Sequence, residues 1–412
     1  MTEPTPDRDP RRALHLLLGV ILPDDTETRL LRALLHDGDS AREAWREWCD
    51  AVGGPLDAFK GERLGQKSLL PLLHAAVERN SLIVDDAVAS WLRAAYFREE
   101  LRGNAYRRIL GETLAAIAPG AGQPPPIVLK GCALSETVYD DPGTRHSHGI
   151  ELLLRDEEVE RIVDLLPGAG FAPARRHQLR RHDRFQLYWQ HAAGLPLELR
   201  TRLFDIPRYI RGDIHVVWQR AQPLPRFPAL QLGPEDALLH VLGNAVTSGS
   251  RISLRWVCDA WLLLRRRAEF DWDSFVASVG DAKLGLPVSI VIRYLAEALQ
   301  AQVPARVRDA LDRLAAGTDF VGHEIAAMGA LVGSHARVRR LIVTRPDWST
   351  RLALVRCFLA PSTACVAEMG WVTQARQLPL YYLMRPLGYV GRRLARLAVR
   401  PETALPRRVD SR

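Results

Sequence analysis

Two glutamates stand inside otherwise apolar, strand-like runs: Glu151 in IELLLR and Glu198 in LPLELR. Upstream, Lys130 and Gly131 end the short apolar run IVLKG and open a helical stretch, and Arg145 lies in the loop before Glu151. A glycine at a strand-to-helix turn lets backbone N–H groups and the helix N-terminus receive phosphate. Carboxylates on neighbouring strands can hold Mg²⁺ or Mn²⁺ against a triphosphate and an attacking hydroxyl. Side chains alternate along a strand, so two acids placed two residues apart share a face. Here the position two before Glu151 is Gly149, which offers no ligand, so two acids of an expected three remain.

Positioning such groups takes a compact α/β unit, and the element order supplies one. IVLKG reads as a strand, CALSETVYDD as a helix, PGTRHSHG as a loop and IELLLR as a second strand. The helical DEEVERIVDLLPGAG follows, then strand-like FAPARRHQL, RFQLYWQH and LPLELRTRL. Strand, helix, strand, helix and further strands describe a small mixed sheet. Before it, apolar residues recur at helical spacing from Arg11 to about Ile117, with Asp85 or Asp86 as the cap of AVASWLRAAYFREELRGNAYRRILGETLAAI. PGAGQPPP breaks this pattern. After Pro234 helices return in PEDALLHVLGNAVTSG, ISLRWVCDAWLLLRRR, DWDSFVASVG and LPVSIVIRYLAEALQ, where Trp256 and Trp261 read as core. The expected fold class is therefore α+β, a small mixed-sheet core between helical flanks. Its divisions fall at 1–118 (helical), 119–232 (α/β core), 233–345 (helical) and 346–412 (irregular and basic).

Composition sets the outer bounds. The 412 residues are 47% hydrophobic and 25% charged, ordinary for a folded chain with more than one domain. A net charge of +8 permits phosphate-bearing ligands without requiring nucleic acid, and no recognition motif for nucleic acid accompanies it. Five cysteines without metal-site spacing indicate neither a disulfide framework nor a zinc module. No apolar run reaches membrane length, so a cytoplasmic protein is the default expectation. The tail RPLGYVGRRLARLAVR can dock on an anionic surface, although its proline and glycines allow only a short helix. ARRHQLRRHDRF reads as solvated surface or as a face toward an acidic substrate, and Cys132 as a packing residue beside the turn.

The run from about Leu69 to about Leu299 resembles the uncharacterised bacterial nucleotidyltransferases of the NTP-transferase type 5 family. The resemblance is carried by LLPLLHAAVERN, IVLKGCALSETVYDDPGTRHSHGIELLLR, the Gly-Phe of GAGFAP, LPLELR, PEDALLHVL and LRWVCDAWLLL, with QLPLYYLMRPL near the C-terminus. It implies a nucleotidyltransferase core with helical flanks, and gene neighbourhoods for exopolysaccharides or modified peptides. By this resemblance Lys130, Gly131 and Arg145 match the triphosphate-binding positions, and Glu151 and Glu198 the second and third acids, serving as metal ligands and catalytic groups. The implied partners are a nucleoside triphosphate with Mg²⁺ or Mn²⁺ and a small-molecule, sugar or peptide acceptor carrying a hydroxyl or amine. Gly149 replaces the usual first aspartate, Glu151 replaces an aspartate, Arg200-Thr201 replace His-Trp, and Asn244 stands where a helical histidine is often found.

Two functional expectations follow. One is nucleotidyl transfer, with His146, His148, Asp140 or Asp141 as substitutes for the missing ligand; imidazole would favour a metal softer than Mg²⁺. The other is a fold retained for binding or scaffolding in a biosynthetic cluster, in which restoring an acid by Gly149→Asp would create metal binding.

Overall fold

The computed structural model describes residues 10–60, 67–120, 123–174, 186–204, 214–247, 254–266, 270–317, 324, 335–368 and 375–384. Among the described residues six helices precede the sheet: α1 (Pro10–Gly19), α2 (Asp25–Leu35), α3 (Gly38–Val52), α4 (Pro55–Lys60), α5 (Leu70–Asn80) and α6 (Asp86–Ala116). Side-chain caps mark two of their starts. Asp24 and Glu27 form a reciprocal capping box at α2, each side chain accepting from the other's backbone N–H at 2.9 Å. Asp85, not Asp86, caps α6 by accepting from the Val88 N–H at 2.7 Å.

The core unit runs β1 (Ile127–Val128), α7 (Lys130–Thr137), β2 (Ile150–Leu153), α8 (Val159–Leu165), β3 (Phe171–Pro173), β4 (Gln186–His191), β5 (Pro196–Arg200), α9 (Ile214–Arg220), β6 (Gln222–Pro223) and β7 (Leu230–Gln231). These strands form one mixed sheet in the order β3-β4-β5-β2-β1-β7-β6. β2 runs parallel to β5, β1 parallel to β7, and the other neighbours are antiparallel. The fold class is thus α+β with a mixed sheet between helical regions. The expected strand FAPARRHQL is described only as far as Ala174; 175–185 and the tail from 385 onward lie outside the described residues, with their proposed surface contacts.

The sheet divides its residues by alternation. Ile150, Leu152, Leu197, Leu199 and Trp189 face a core shared with Tyr106, Ile109, Leu110 and Leu114 of α6 and Ile162 of α8. Burying each such leucine or isoleucine contributes roughly 1.5–3 kcal/mol. The opposite face presents Glu151 and Leu153 from β2 and Glu198 and Arg200 from β5. There Ile127, Leu129 and Leu153 join a second, larger core. It includes residues of α1–α5, the N-terminal part of α6, and α10 (Pro234–Thr247), α11 (Arg255–Arg266), α12 (Trp272–Asp281), α13 (Gly285–Ala298) and α14 (Ala305–Ala316). Trp261 is buried in that core, as its spacing indicates, and donates to Leu299 O at 2.9 Å.

Two features differ from expectation. β6 and β7 hold two residues each, too few to show a period, and Arg226 between them has φ +68°. The stretch after Pro346, expected to be irregular, contains α16 (Trp348–Leu359) and α17 (Thr363–Glu368), following α15 (His335–Thr344). Asp347 starts α16 by accepting from the Thr350 N–H at 3.0 Å. Among the described residues no helix is long and apolar enough to cross a membrane.

Candidate functional site

Glu151 and Glu198 are direct partners across the parallel β2–β5 pair, so the two acids found by sequence stand side by side on one face. Lys130 enters α7 with φ +49°, a left-handed conformation that is uncommon for a side-chain-bearing residue, and no side chain caps that helix. Its Nζ lies 2.7 Å from Glu151 Oε2. Gly131 is required by close approach: a Cβ there would collide with Ser147 Oγ and come within 3.3 Å of Arg145 Nη1. The Lys-Gly turn therefore packs against the loop that leads into β2.

Arg200 completes the cluster, and sequence reading registered it only as a departure from the family pattern. Two residues beyond Glu198 on β5, it shares the acid's face. Its Nε lies 2.5 Å from Glu198 Oε1 and 3.5 Å from Glu151 Oε2, and the residue is 4% exposed. Gln186 on β4 donates its side-chain amide to the same Glu198 oxygen. Burial, and then the negative charge of Glu151, raise the Glu198 carboxyl above the usual glutamate range, with Arg200 and Lys130 opposing. Two carboxylates thus face two cations, an array with no net charge when all four are ionised.

The missing ligand position is closed as well as empty. A Cβ on Gly149 would lie 2.9 Å from Pro196 O and 3.0 Å from Pro196 Cγ on the adjoining strand. An aspartate placed there meets a backbone carbonyl, so the simple restoration imagined from sequence is sterically opposed. Two of the sequence neighbours named as substitutes, His146 and Asp141, are engaged elsewhere. Glu99 pairs with His146 Nδ1 at 2.6 Å and accepts from the Ser147 N–H at 3.1 Å. Asp141 accepts from Tyr96 Oη at 2.6 Å and from the Gly143 N–H at 2.8 Å. Among the described residues there is no group of three or more His, Cys, Asp or Glu arranged to hold a metal. Mg²⁺ is commonly held by one or two carboxylates together with waters and substrate phosphates. Here Glu151 and Glu198 are already countered by Lys130 and Arg200, and it is these charges that oppose a dication.

Arg145, expected at the phosphates, is 9% exposed and turned toward α11. Its Nε and Nη2 donate to the two carboxylate oxygens of Asp259, each at 2.7 Å, and its Nη1 donates to His146 O. Tyr139 Oη donates to Asp259 Oδ1 at 2.7 Å. Burial works against the Arg145 charge, yet Asp259 holds its pKa above the ordinary arginine value. Arg255, donating to His146 O at 2.8 Å, is lowered to about 10 by burial and by Arg145. The same surroundings lower His148 to about 3, burial first and Arg255 next. The arginine before the acidic strand therefore ties the core unit to the following helices.

His240 of α10 was not singled out by sequence, although it lies one turn before Asn244, whose side-chain amide donates to His240 O at 2.8 Å. It is buried, with its Nε2 lacking a hydrogen-bond partner. Burial, then Lys130 and Arg200, lower its pKa well below the ordinary histidine value, which keeps the imidazole neutral.

Comparison with known proteins gives one match. The family described as uncharacterised nucleotidyltransferase aligns with residues 63–300, more than half of the chain. The chain belongs to this family. No curated protein and no solved structure matches it. A nucleotidyltransferase-like character is accordingly assigned, on a site whose acids are countered within the protein.

Proposed function

We propose that this nucleotidyltransferase-like chain keeps the fold for binding, as a partner or scaffold in a biosynthetic system, and does not carry out two-metal nucleotidyl transfer. One observation carries the reading. The charges expected at metal and triphosphate are each countered within the protein: Lys130 and Glu151 by one another, Glu198 by Arg200, and Arg145 by Asp259. A triphosphate arriving with its metal would have to break these pairs and would still lack a ligand from position 149. The test is pyrophosphate release from ATP, CTP, GTP and UTP with Mg²⁺ or Mn²⁺, in the presence of hydroxyl- and amine-bearing acceptors. No release above the metal-only blank is expected; release that disappears in Glu151→Ala would overturn the reading.

The alignment of Glu151 with Glu198 favours a second reading, metal-dependent transfer to a hydroxyl or amine. There Glu151 and Glu198 would hold Mg²⁺ or Mn²⁺, which supplies charge neutralisation of the phosphates when bound. Lys130 and the Gly131 turn would bind the nucleoside triphosphate. In that case Glu151→Ala abolishes turnover while leaving the fold intact.

A further inference from the structure

We infer that Arg200 is a resident cation that takes the place of a divalent metal between Glu151 and Glu198, and that the pair stays closed to metal until Arg200 is removed. The inference rests on the binding reading above and deepens it by naming the residue that blocks the site.

Position supports it first. Glu198 and Arg200 are two apart on β5, and Glu151 is the direct partner of Glu198, so strand geometry points all three side chains to one side. Distance supports it next: the guanidinium Nε is 2.5 Å from one carboxylate and 3.5 Å from the other. Burial then makes the arrangement hard to displace, because the arginine is 4% exposed and a guanidinium stays protonated in a protein. A dication entering between the acids would face Arg200 and also Lys130, 2.7 Å from Glu151. The closure of position 149 by Pro196, a residue of the same strand as Arg200, removes the remaining ligand.

Charge counting gives the converse. Replacing Arg200 by a neutral side chain leaves two aligned carboxylates with Lys130 alone, a net negative site that attracts a divalent ion.

The test is electron paramagnetic resonance of Mn²⁺ titrated into the full chain, native and as Arg200→Gln, with Arg200→Gln/Glu151→Gln as the control. Native protein is expected to leave Mn²⁺ free. Arg200→Gln is expected to take up one ion at least about tenfold more tightly, and the added Glu151→Gln to lose it. A folded Arg200→Gln variant that binds no better than native overturns the inference while leaving the binding reading intact. Native protein that binds Mn²⁺ through Glu151 overturns both. A second measurement needs no unpaired variant: the Arg200 Nε–H resonance in ¹⁵N-arginine-labelled native protein should be unmoved by millimolar Mg²⁺. A Mg²⁺-dependent shift of that resonance, absent in Glu151→Gln, overturns the inference even if Arg200→Gln fails to fold.

Discussion

Replacing Asp259 by alanine tests whether Arg145 serves the fold or a ligand. The substitution deletes an acceptor of three hydrogen bonds, two from Arg145 and one from Tyr139, each 2.7 Å long. Arg145 is 9% exposed and Tyr139 6%, so water has little access to the groups left behind. Stranding one member of a buried ion pair costs about 3–5 kcal/mol, and an orphaned hydroxyl about 1 kcal/mol more. For a unit of this size that corresponds to a fall in melting temperature on the order of 10 °C. Thermal unfolding followed by tryptophan fluorescence reads the loss. Arg145→Met/Asp259→Leu, which removes both charges, should recover more than half of it, because no uncompensated charge remains. A single-variant loss below about 2 °C, or a double variant no better than the single, would refute the buried-pair reasoning. Arg145→Lys is expected to lose stability without changing nucleotide titrations made at a temperature where it is folded.

Other perturbations reach the remaining parts of the site. Gly149→Asp should not create metal binding and should destabilise by about 1–3 kcal/mol through the clash with Pro196; Mn²⁺ uptake by a stable variant would contradict this. Gly131→Ala should destabilise by a similar ~1–3 kcal/mol, and Ser147→Gly should relieve part of the loss, since Ser147 is what the new Cβ meets; urea unfolding of the three variants measures the coupling. His148, held to about 3, should show no NMR titration between pH 7 and 4.5. Its folded pKa lies below the unfolded value, so its contribution to stability is complete above about pH 6.5 and falls as pH drops toward about 3. A midpoint near the ordinary histidine value would contradict the placement. Glu198 has the opposite sign: its carboxyl is raised, so its contribution is greatest below the ordinary glutamate pKa and decreases as pH rises through the folded value. Glu198→Gln should flatten that limb of a stability–pH curve, and an unchanged slope would count against a raised carboxyl.

The parts of this molecule that were legible in sequence are those written in short-range patterns. Each of Glu151 and Glu198 stood out as the acid in an apolar strand, although their common face came only with the β2–β5 register, and the Lys130-Gly131 turn follows from an apolar run that ends at a glycine. Acid caps such as Asp85 mark helix starts. What escaped was set by long-range approach. Asp259 is 114 residues from Arg145, and nothing near the arginine signals that its fork is filled. The closure of position 149 depends on which strand β2 pairs with, and so on a proline 47 positions away that carries no local cue. Arg200 was within reach, since i and i+2 share a face, yet a comparison of residue types registers it as a lost histidine and not as a gained cation. The two-residue strands β6 and β7 are too short for any period to form.

The most direct test of the central claim is calorimetric titration of the full chain with ATP, CTP, GTP and UTP, each in Mg²⁺, in Mn²⁺ and in EDTA. With Glu151 and Glu198 countered by Lys130 and Arg200, metal should make no difference to any binding observed, and Glu151→Ala should leave the metal response unchanged. Metal-dependent nucleotide binding that is lost in Glu151→Ala would contradict the claim and restore this chain to the metal-dependent transferases.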